Sequence, residues 1–309
     1  MSQKSLSSVD EPIFVFTDPG IDDALALAIL ARSKKLRLLG ACGVDGNVSS
    51  RIATVNLAGL LRLFGAKDTP VFQSLVDDPV HEYPTHVHAK NGLGDIRINQ
   101  PRLQGKPDLA EFLRSRRSSF QILSLGPLTT VADLLKQAPG LTKRISRIVL
   151  MGGGFARGNV TPYAEFNIYT NPEAADAVFR SSIPKIVVPL DVTERVKLEA
   201  SDLKTLEQIK RNKVAKALTG MLLFYFNFEK KESGLFGGYM HDPSAVVAIT
   251  NPELFRFRQA VVCVDTSSDE TRGRTVAKFS RGRKANSWIV LGVNEEAVRS
   301  VIMQGLIGK

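Results

Sequence analysis

The strongest constraint on this chain is a repeating alternation. A short run of β-branched or aromatic residues is followed by a turn and then by a pattern with helical spacing, several times over. Ile13-Phe14-Val15-Phe16 reads as the first such strand, buried on both faces, and Asp18-Pro19-Gly20 as the turn that ends it. Residues 22–32 then read as a helix that is apolar on nearly every side, so it belongs inside. The strand signal returns at 36–41, 122–125, 148–151 and 186–189, and helical stretches follow at 49–63, 129–137, 172–180 and 200–209. Strands alternating with helices predict an α/β fold, a mostly parallel central sheet flanked by helices. Residues 214–229 read as a longer helix, rich in aromatics toward its end. Beyond Arg256, shorter strand signals at 260–264, 274–278 and 288–290 predict an appended hairpin or sheet edge, closed by a helix over 295–305.

No low-complexity linker, repeat or abrupt shift in composition divides the 309 residues, so one domain over 1–309 is expected, with residues 1–11 as a flexible N-terminal stretch. Hydrophobic residues make up 43% and charged residues 23%, which excludes a disordered or fibrous chain. The longest apolar run, residues 24–31, is far short of the roughly 20 residues a membrane helix needs. The first residues carry no apolar segment of a secretory signal. Cys42 and Cys263 lie far apart without a CxxC partner, which excludes a disulfide framework and suggests a reducing, cytoplasmic setting. The net charge of +10 raises the question of an anionic partner. Its clusters, Arg114-Ser115-Arg116-Arg117, Lys143-Arg144, Lys230-Lys231 and Arg281-Gly282-Arg283-Lys284, are scattered and lack any nucleic-acid-binding pattern, so they read as solvated surface charge.

In sheets of this kind ligands bind beyond the carboxyl ends of the strands. There, Thr17-Asp18-Pro19-Gly20-Ile21-Asp22-Asp23 supplies three carboxylates directly after a buried strand. An Asp at a helix start is often only a cap, worth about 1 kcal/mol. That accounts for Asp22 or Asp23 but not for Asp18 in the same crevice, since crowded like charges repel unless something cationic separates them. A hard divalent cation fits, and calcium takes oxygens from carboxylates, carbonyls and substrate hydroxyls alike. His241-Asp242-Pro243-Ser244, after a glycine-rich stretch at 234–238 that reads as flexible, offers a fourth carboxylate; alone, Asp242 would read as a helix cap. In the stretch after Gly152-Gly153-Gly154, Asn159, Glu165 and Asn167 suit a polyhydroxylated ligand such as a sugar, though they also fit a plain surface loop.

Taken in order, Asp18-Pro19-Gly20-Ile21-Asp22-Asp23-Ala24, Gly46-Asn47-Val48, His88-Ala89-Lys90-Asn91-Gly92-Leu93-Gly94, Gly126-Pro127-Leu128-Thr129, Met151-Gly152-Gly153, Ala164-Glu165-Phe166-Asn167, Pro189-Leu190-Asp191-Val192-Thr193 and His241-Asp242-Pro243 form a highly specific set. Over nearly the whole chain it resembles the nucleoside hydrolase family, the inosine-uridine preferring nucleoside N-ribohydrolases. The resemblance implies a Rossmann-like nucleoside hydrolase fold, a homodimer or homotetramer, and calcium-dependent hydrolysis of ribonucleosides to free base and ribose. It implies calcium (Ca2+) held by Asp18, Asp23, Asp242 and the backbone carbonyl of Leu125. Asp22, Asn47, Asn159, Glu165 and Asn167 would bind the ribose, with Met151 and Phe166 also against the substrate and His88 and His241 near the base. Asp18 would act as general base toward water, and His241, with a pKa near neutrality, as general acid toward the base.

Three positions depart from the family pattern: Phe16 replaces an Asp, Ala89 a Gly and Thr130 an Asn. Phe16 also removes the nucleophile of an Asp-x-Asp phosphatase, which disposes of that rival. A catalytically weak or inactive, nucleoside-binding member and an RNA-binding protein are the remaining alternatives. The choice of base lies in loops around 85–93 and 224–239 and is not legible from the sequence.

Overall fold

The computed structural model describes residues 11–76, 83–101, 107–209, 212–267, 269–280 and 285–308. The expected flexible terminus (Glu11 apart) and the basic run at 281–284 lie outside the described residues. Among the described residues nine strands form one sheet: β1 (Pro12–Thr17), β2 (Arg37–Gly43), β3 (Val71–Gln73), β4 (Phe120–Ser124), β5 (Ile145–Met151), β6 (Lys185–Val188), and, after a separate pair β7 (Lys197–Glu199) and β8 (Gly237–Tyr239), the strands β9 (Phe255–Val264), β10 (Thr275–Phe279) and β11 (Ser287–Val293). Their spatial order is β10-β9-β11-β6-β5-β4-β1-β2-β3. From β3 through β6 to β11 every neighbour is parallel, and β9 pairs antiparallel with both β11 and β10. The appended strands predicted at the sheet edge therefore extend the main sheet itself.

Alternation along β1 builds two cores at once. Ile13 and Val15 enter one apolar cluster, Phe14 and Phe16 the other, and no β1 residue is exposed. The first cluster receives the helix Ile21–Arg32, buried from Ile21 to Leu30, packed against the helices His241–Thr250 and Glu295–Ile307. Each such Leu or Ile removed from water contributes about 1.5–3 kcal/mol, which is why a helix with almost no polar face is stable only here. The second cluster lies under the helices Leu109–Ser115, Thr129–Gln137 and Pro172–Arg180. Phe16 sits within it, its ring 5.2 Å from that of Phe14, on the opposite face of the sheet from the Ile21–Arg32 helix.

The glycine-rich stretch read as flexible is ordered instead: Gly237–Tyr239 is β8, paired antiparallel with β7. The helix before it, Lys213–Ser233, runs past residue 229 and stops at Gly234, whose φ of +79° suits a residue without a Cβ. β9 starts at Phe255, earlier than its hydrophobic signal, because β11 pairs with its first half, residues 255–260. Among the described residues no helix is long and apolar enough to cross a membrane.

One topological fact locates the site. The chain moves from β1 outward to β2 and β3, then returns to β4 on the other side of β1. A crevice opens at such a reversal, between the loops leaving β1 and β4, and in open α/β sheets ligands bind there. Asp18 follows β1 and Leu125 follows β4.

Candidate active site

The carboxylates converge at this crevice. Asp18 is 1% exposed, Asp22 9%, Asp23 0% and Asp242 3%. Carboxylate oxygens of Asp22, Asp23 and Asp242 all lie within 4.8 Å of one another. Asp23 accepts from the Thr17 hydroxyl, from the Gly20 N–H at 2.9 Å and from Asn47 Nδ2 at 3.1 Å. Asn47 also donates its backbone N–H to Asp18 Oδ2 at 2.6 Å, so one residue bridges Asp18 and Asp23. Among the described residues, Asp18 Oδ1, fully buried, has no hydrogen-bond partner. Asp242 is the second residue of its helix and does not cap it; the cap position is Met240, without a side-chain bond.

Two glycines make room for Asp18. A Cβ on Gly46 would lie 2.0 Å from Asp18 Oδ2, and one on Gly126 would lie 2.4 Å from Oδ1. Gly20 is held in the same way, its missing Cβ falling 2.7 Å from Asn47 Nδ2 and 2.9 Å from the His88 ring. The glycines of three separate motifs thus answer to one requirement, close approach of backbone to the acidic cluster and its partners.

Burial is the largest influence on all four acids and raises each carboxyl above its ordinary range; Asp22 reaches about 7. Mutual repulsion adds to this, Asp23 raising Asp18, Asp22 and Asp242. Three carboxylates this close repel one another unless a proton or a cation lies between them. All donors are hard oxygens, and the orphaned Asp18 Oδ1 adds one more. A hard divalent cation fits this set.

Above the acids opens a cavity of about 990 Å³, lined among others by Asp22, Asn47, His88, Leu125, Met151, Asn159, Glu165, Phe166, Asn167, His241 and Asp242. Asp18 and Asp23 lie beneath it rather than on its wall. Every residue expected to touch substrate is therefore on one surface. The grouping of the acids differs from expectation: the tight trio contains Asp22 in place of Asp18, which is joined to it through Asn47.

Several wall residues are committed to the scaffold. The Glu165 carboxylate accepts N–H groups of Gly153 at 2.8 Å, Asn167 at 2.9 Å and Ile168 at 3.3 Å, while burial lifts its pKa to about 7. Asn167 Nδ2 donates to the carbonyls of Leu125, 2.7 Å, and Met151, 3.2 Å, tying the ends of β4 and β5 together. Exposed Asn159 accepts the Phe166 N–H at 2.9 Å. His88 Nδ1 accepts the Ile21 N–H at 3.1 Å, so the ring is neutral, and burial holds its pKa down at about 3.

His241 Nδ1 lies 2.8 Å from the Thr193 hydroxyl. Its expected pKa near neutrality is not met: burial lowers it to about 4. Tyr225, Phe228, Glu229 and Tyr239 also line the cavity, Tyr239 with its ring 5.9 Å from that of His241, and none is singled out by the sequence. The aromatic end of the Lys213–Ser233 helix was the available signal, because a half-turn of aromatics beside an apolar core can also face a ligand.

The family model for inosine-uridine preferring nucleoside hydrolase matches residues 13–300. The chain is 38% identical to uridine nucleosidase 1 of Arabidopsis thaliana over 265 residues, 83% of this chain and 79% of that one. It is 33% identical to the pyrimidine-specific ribonucleoside hydrolase RihA of Salmonella typhi over 305 residues, 96% of this chain and 98% of the other. Among solved structures, the plant nucleoside hydrolase PpNRh1 superposes with a TM-score of 0.88 at 27% identity, covering 96% of this chain and 98% of its own. The purine-preferring ribonucleoside hydrolase from Gardnerella vaginalis gives 0.88 at 29% identity with the same coverage, 96% and 98%.

Fold, cavity and relatives define an enzyme, a hydrolase acting on N-glycosyl compounds. The chain belongs to the inosine-uridine preferring nucleoside hydrolase family, which is metal-dependent.

Proposed function

We propose that this chain is a calcium-dependent ribonucleoside hydrolase that cleaves the N-glycosidic bond by direct attack of water, releasing base and ribose. The observation that carries the proposal is the buried carboxylate cluster with an unpartnered Asp18 oxygen beneath a polar cavity. Asp18, Asp23, Asp242 and the Leu125 carbonyl would hold the ion. A bound calcium supplies positive charge that keeps these acids ionised and acidifies and fixes a water.

The chain's own groups do the rest. Asp18 accepts a proton from the attacking water through its free oxygen. Asp22, Asn47, Asn159, Glu165 and Asn167 orient the ribose, with Met151 and Phe166 against it, and orientation of this kind is worth several kcal/mol of barrier. As the C1′–N bond breaks, its electron pair passes to the base. Buried and neutral, His241 serves there as a hydrogen-bond donor to the growing charge rather than as a cationic acid. His88, neutral through its bond from Ile21, keeps the same end of the cavity uncharged.

The names of the curated relatives make uridine the first substrate to assay. Reducing-sugar release from uridine, cytidine and inosine is to be followed with and without chelator, for wild type and Asp18→Asn. Release that stops with chelator, returns with calcium and is lost in the variant is the expected result. Equal turnover by Asp18→Asn removes Asp18 from the mechanism, and no release from any nucleoside favours the silent, nucleoside-binding alternative. Phe16, which motivated that alternative, lies in the second core and leaves the acids untouched.

The chain is one domain, supported by a sheet that draws strands from both its halves. It works in the cytoplasm in nucleoside catabolism and base salvage, supported by two free cysteines, and as a homodimer or homotetramer.

A further inference from the structure

The four-residue helix Leu190–Thr193, just after β6, is fastened more heavily than a connector needs. Its first N–H, from Leu190, donates to the Gly153 carbonyl at 2.9 Å. Asp191 accepts the N–H groups of Phe155 and Ala156, each at 2.8 Å, and so pins the loop that leads to Asn159. Thr193 donates its own N–H to the Pro189 carbonyl at 3.1 Å and is 0% exposed. Its hydroxyl has a single partner among the described residues, His241 Nδ1 at 2.8 Å. A fully buried hydroxyl on a rigid turn, aimed at one nitrogen of an imidazole that lines the cavity, is placed to select which nitrogen of that ring carries the proton.

We propose that Thr193 is a positioning residue: its hydroxyl donates to His241 Nδ1, which places the ring proton on Nε2 and presents it to the departing base. This rests on the role given to His241 above. The helical carbonyls of this short turn do not take the hydroxyl proton, so it is available for Nδ1. With Nδ1 as acceptor, a neutral imidazole has one donor left, Nε2–H. With the opposite tautomer the ring would offer the base a lone pair, which repels the charge that grows on it. No covalent step at Thr193 is involved; the C1′–N electron pair still leaves on the base, and Thr193 keeps its proton.

The test compares two leaving groups. Uracil is a poor one and depends on a donor, whereas p-nitrophenolate is stable without one. Thr193→Val keeps the shape and removes the donor; Thr193→Ser keeps the donor and removes a methyl. Thr193→Val is expected to lower kcat for uridine on the order of 10- to 100-fold with little change in KM, to change p-nitrophenyl β-D-riboside hydrolysis less than about threefold, and Thr193→Ser is expected to restore uridine turnover. Equal losses on both substrates, or no loss on either, overturn the proposal. His241→Ala separates the two readings. If it is selective for uridine while Thr193→Val is not, Thr193 alone loses its role; if it spares uridine, the donor role of His241 fails and that of Thr193 with it.

Discussion

Asp18 owes its position to what its neighbours lack. Gly46 and Gly126, from loops after two different strands, face its two oxygens so closely that even a methyl group would displace the carboxylate. Gly46→Ala should therefore reduce uridine hydrolysis on the order of 100-fold or more while circular dichroism stays that of the wild type; a variant with normal turnover would mean that Asp18 has slack. Ala89 is a different case. It has φ +62° and ψ 174°, a conformation that belongs to glycine, immediately after His88. Ala89→Gly should raise the stability by about 1 kcal/mol, read as an increase in Tm, because the relief of strain exceeds the added freedom of the unfolded chain. An unchanged or lower Tm would mean that the backbone carries no such strain. Phe16 explains itself by strand alternation: position 16 points into the second core with Phe14, while Thr17 points to Asp23.

At the scale of elements, Lys185 at the start of β6 has no exposed surface, yet its ammonium donates to the carbonyls of Phe179, at 2.9 Å, and Ser181, at 2.5 Å. It caps the end of the helix Pro172–Arg180, where a cation meets the negative end of the helix dipole. Burial lowers its pKa to about 8, below the roughly 10.4 of an unfolded lysine. Between those values the unfolded chain holds more protons, so wild-type stability should rise as pH climbs from 8 toward 10. Denaturant titrations of wild type and Lys185→Met across that range should show the slope in the former and its absence in the latter.

The long elements were legible from sequence for a plain reason: helices such as Thr129–Gln137 and Pro172–Arg180 and strands such as β1 bury enough side chains to impose their period on the residues. Thr85–His88, Phe166–Tyr169 and Leu190–Thr193 are each a single turn, too short for any period, and their geometry is set by tertiary hydrogen bonds. β8 carries no strand signal because glycine has no strand preference; close packing under Tyr225, 2.6 Å from a Cβ on Gly238, is what calls for glycine there. The acidic residues could be named in advance, but their grouping could not. That Asp22 rather than Asp18 stands with Asp23 and Asp242 in the tight trio is a tertiary fact, not a matter of spacing along the chain.

For the molecule as a whole, four buried acids are a liability without a counter-charge. Their raised pKa values mean that these four acids hold more protons in the ion-free folded chain than in the unfolded one above about pH 4. That loss of stability with rising pH outweighs the opposite contribution of the two buried histidines, His88 and His241, so stability should fall as pH rises toward 7. Thermal unfolding with chelator from pH 5 to 8 should show that decline. Saturating calcium should reverse it at pH 7.5, by about 2.7 kcal/mol at a hundredfold excess over the dissociation constant. A Tm that ignores calcium at every pH would argue against an ion among these residues.

The acids also stand far apart in chain order, with Asp18 just beyond the first strand and Asp242 on a helix that follows β8. During synthesis, the ribosome must release most of the polypeptide before Asp242 can reach the crevice. An ion that depends on Asp242 would then lock an assembly already nearly complete rather than serve as an early template for the N-terminal half. Metal uptake by newly made chains should accordingly lag behind formation of the central strands, and a nascent chain stalled before residue 242 would carry an open, unlocked crevice.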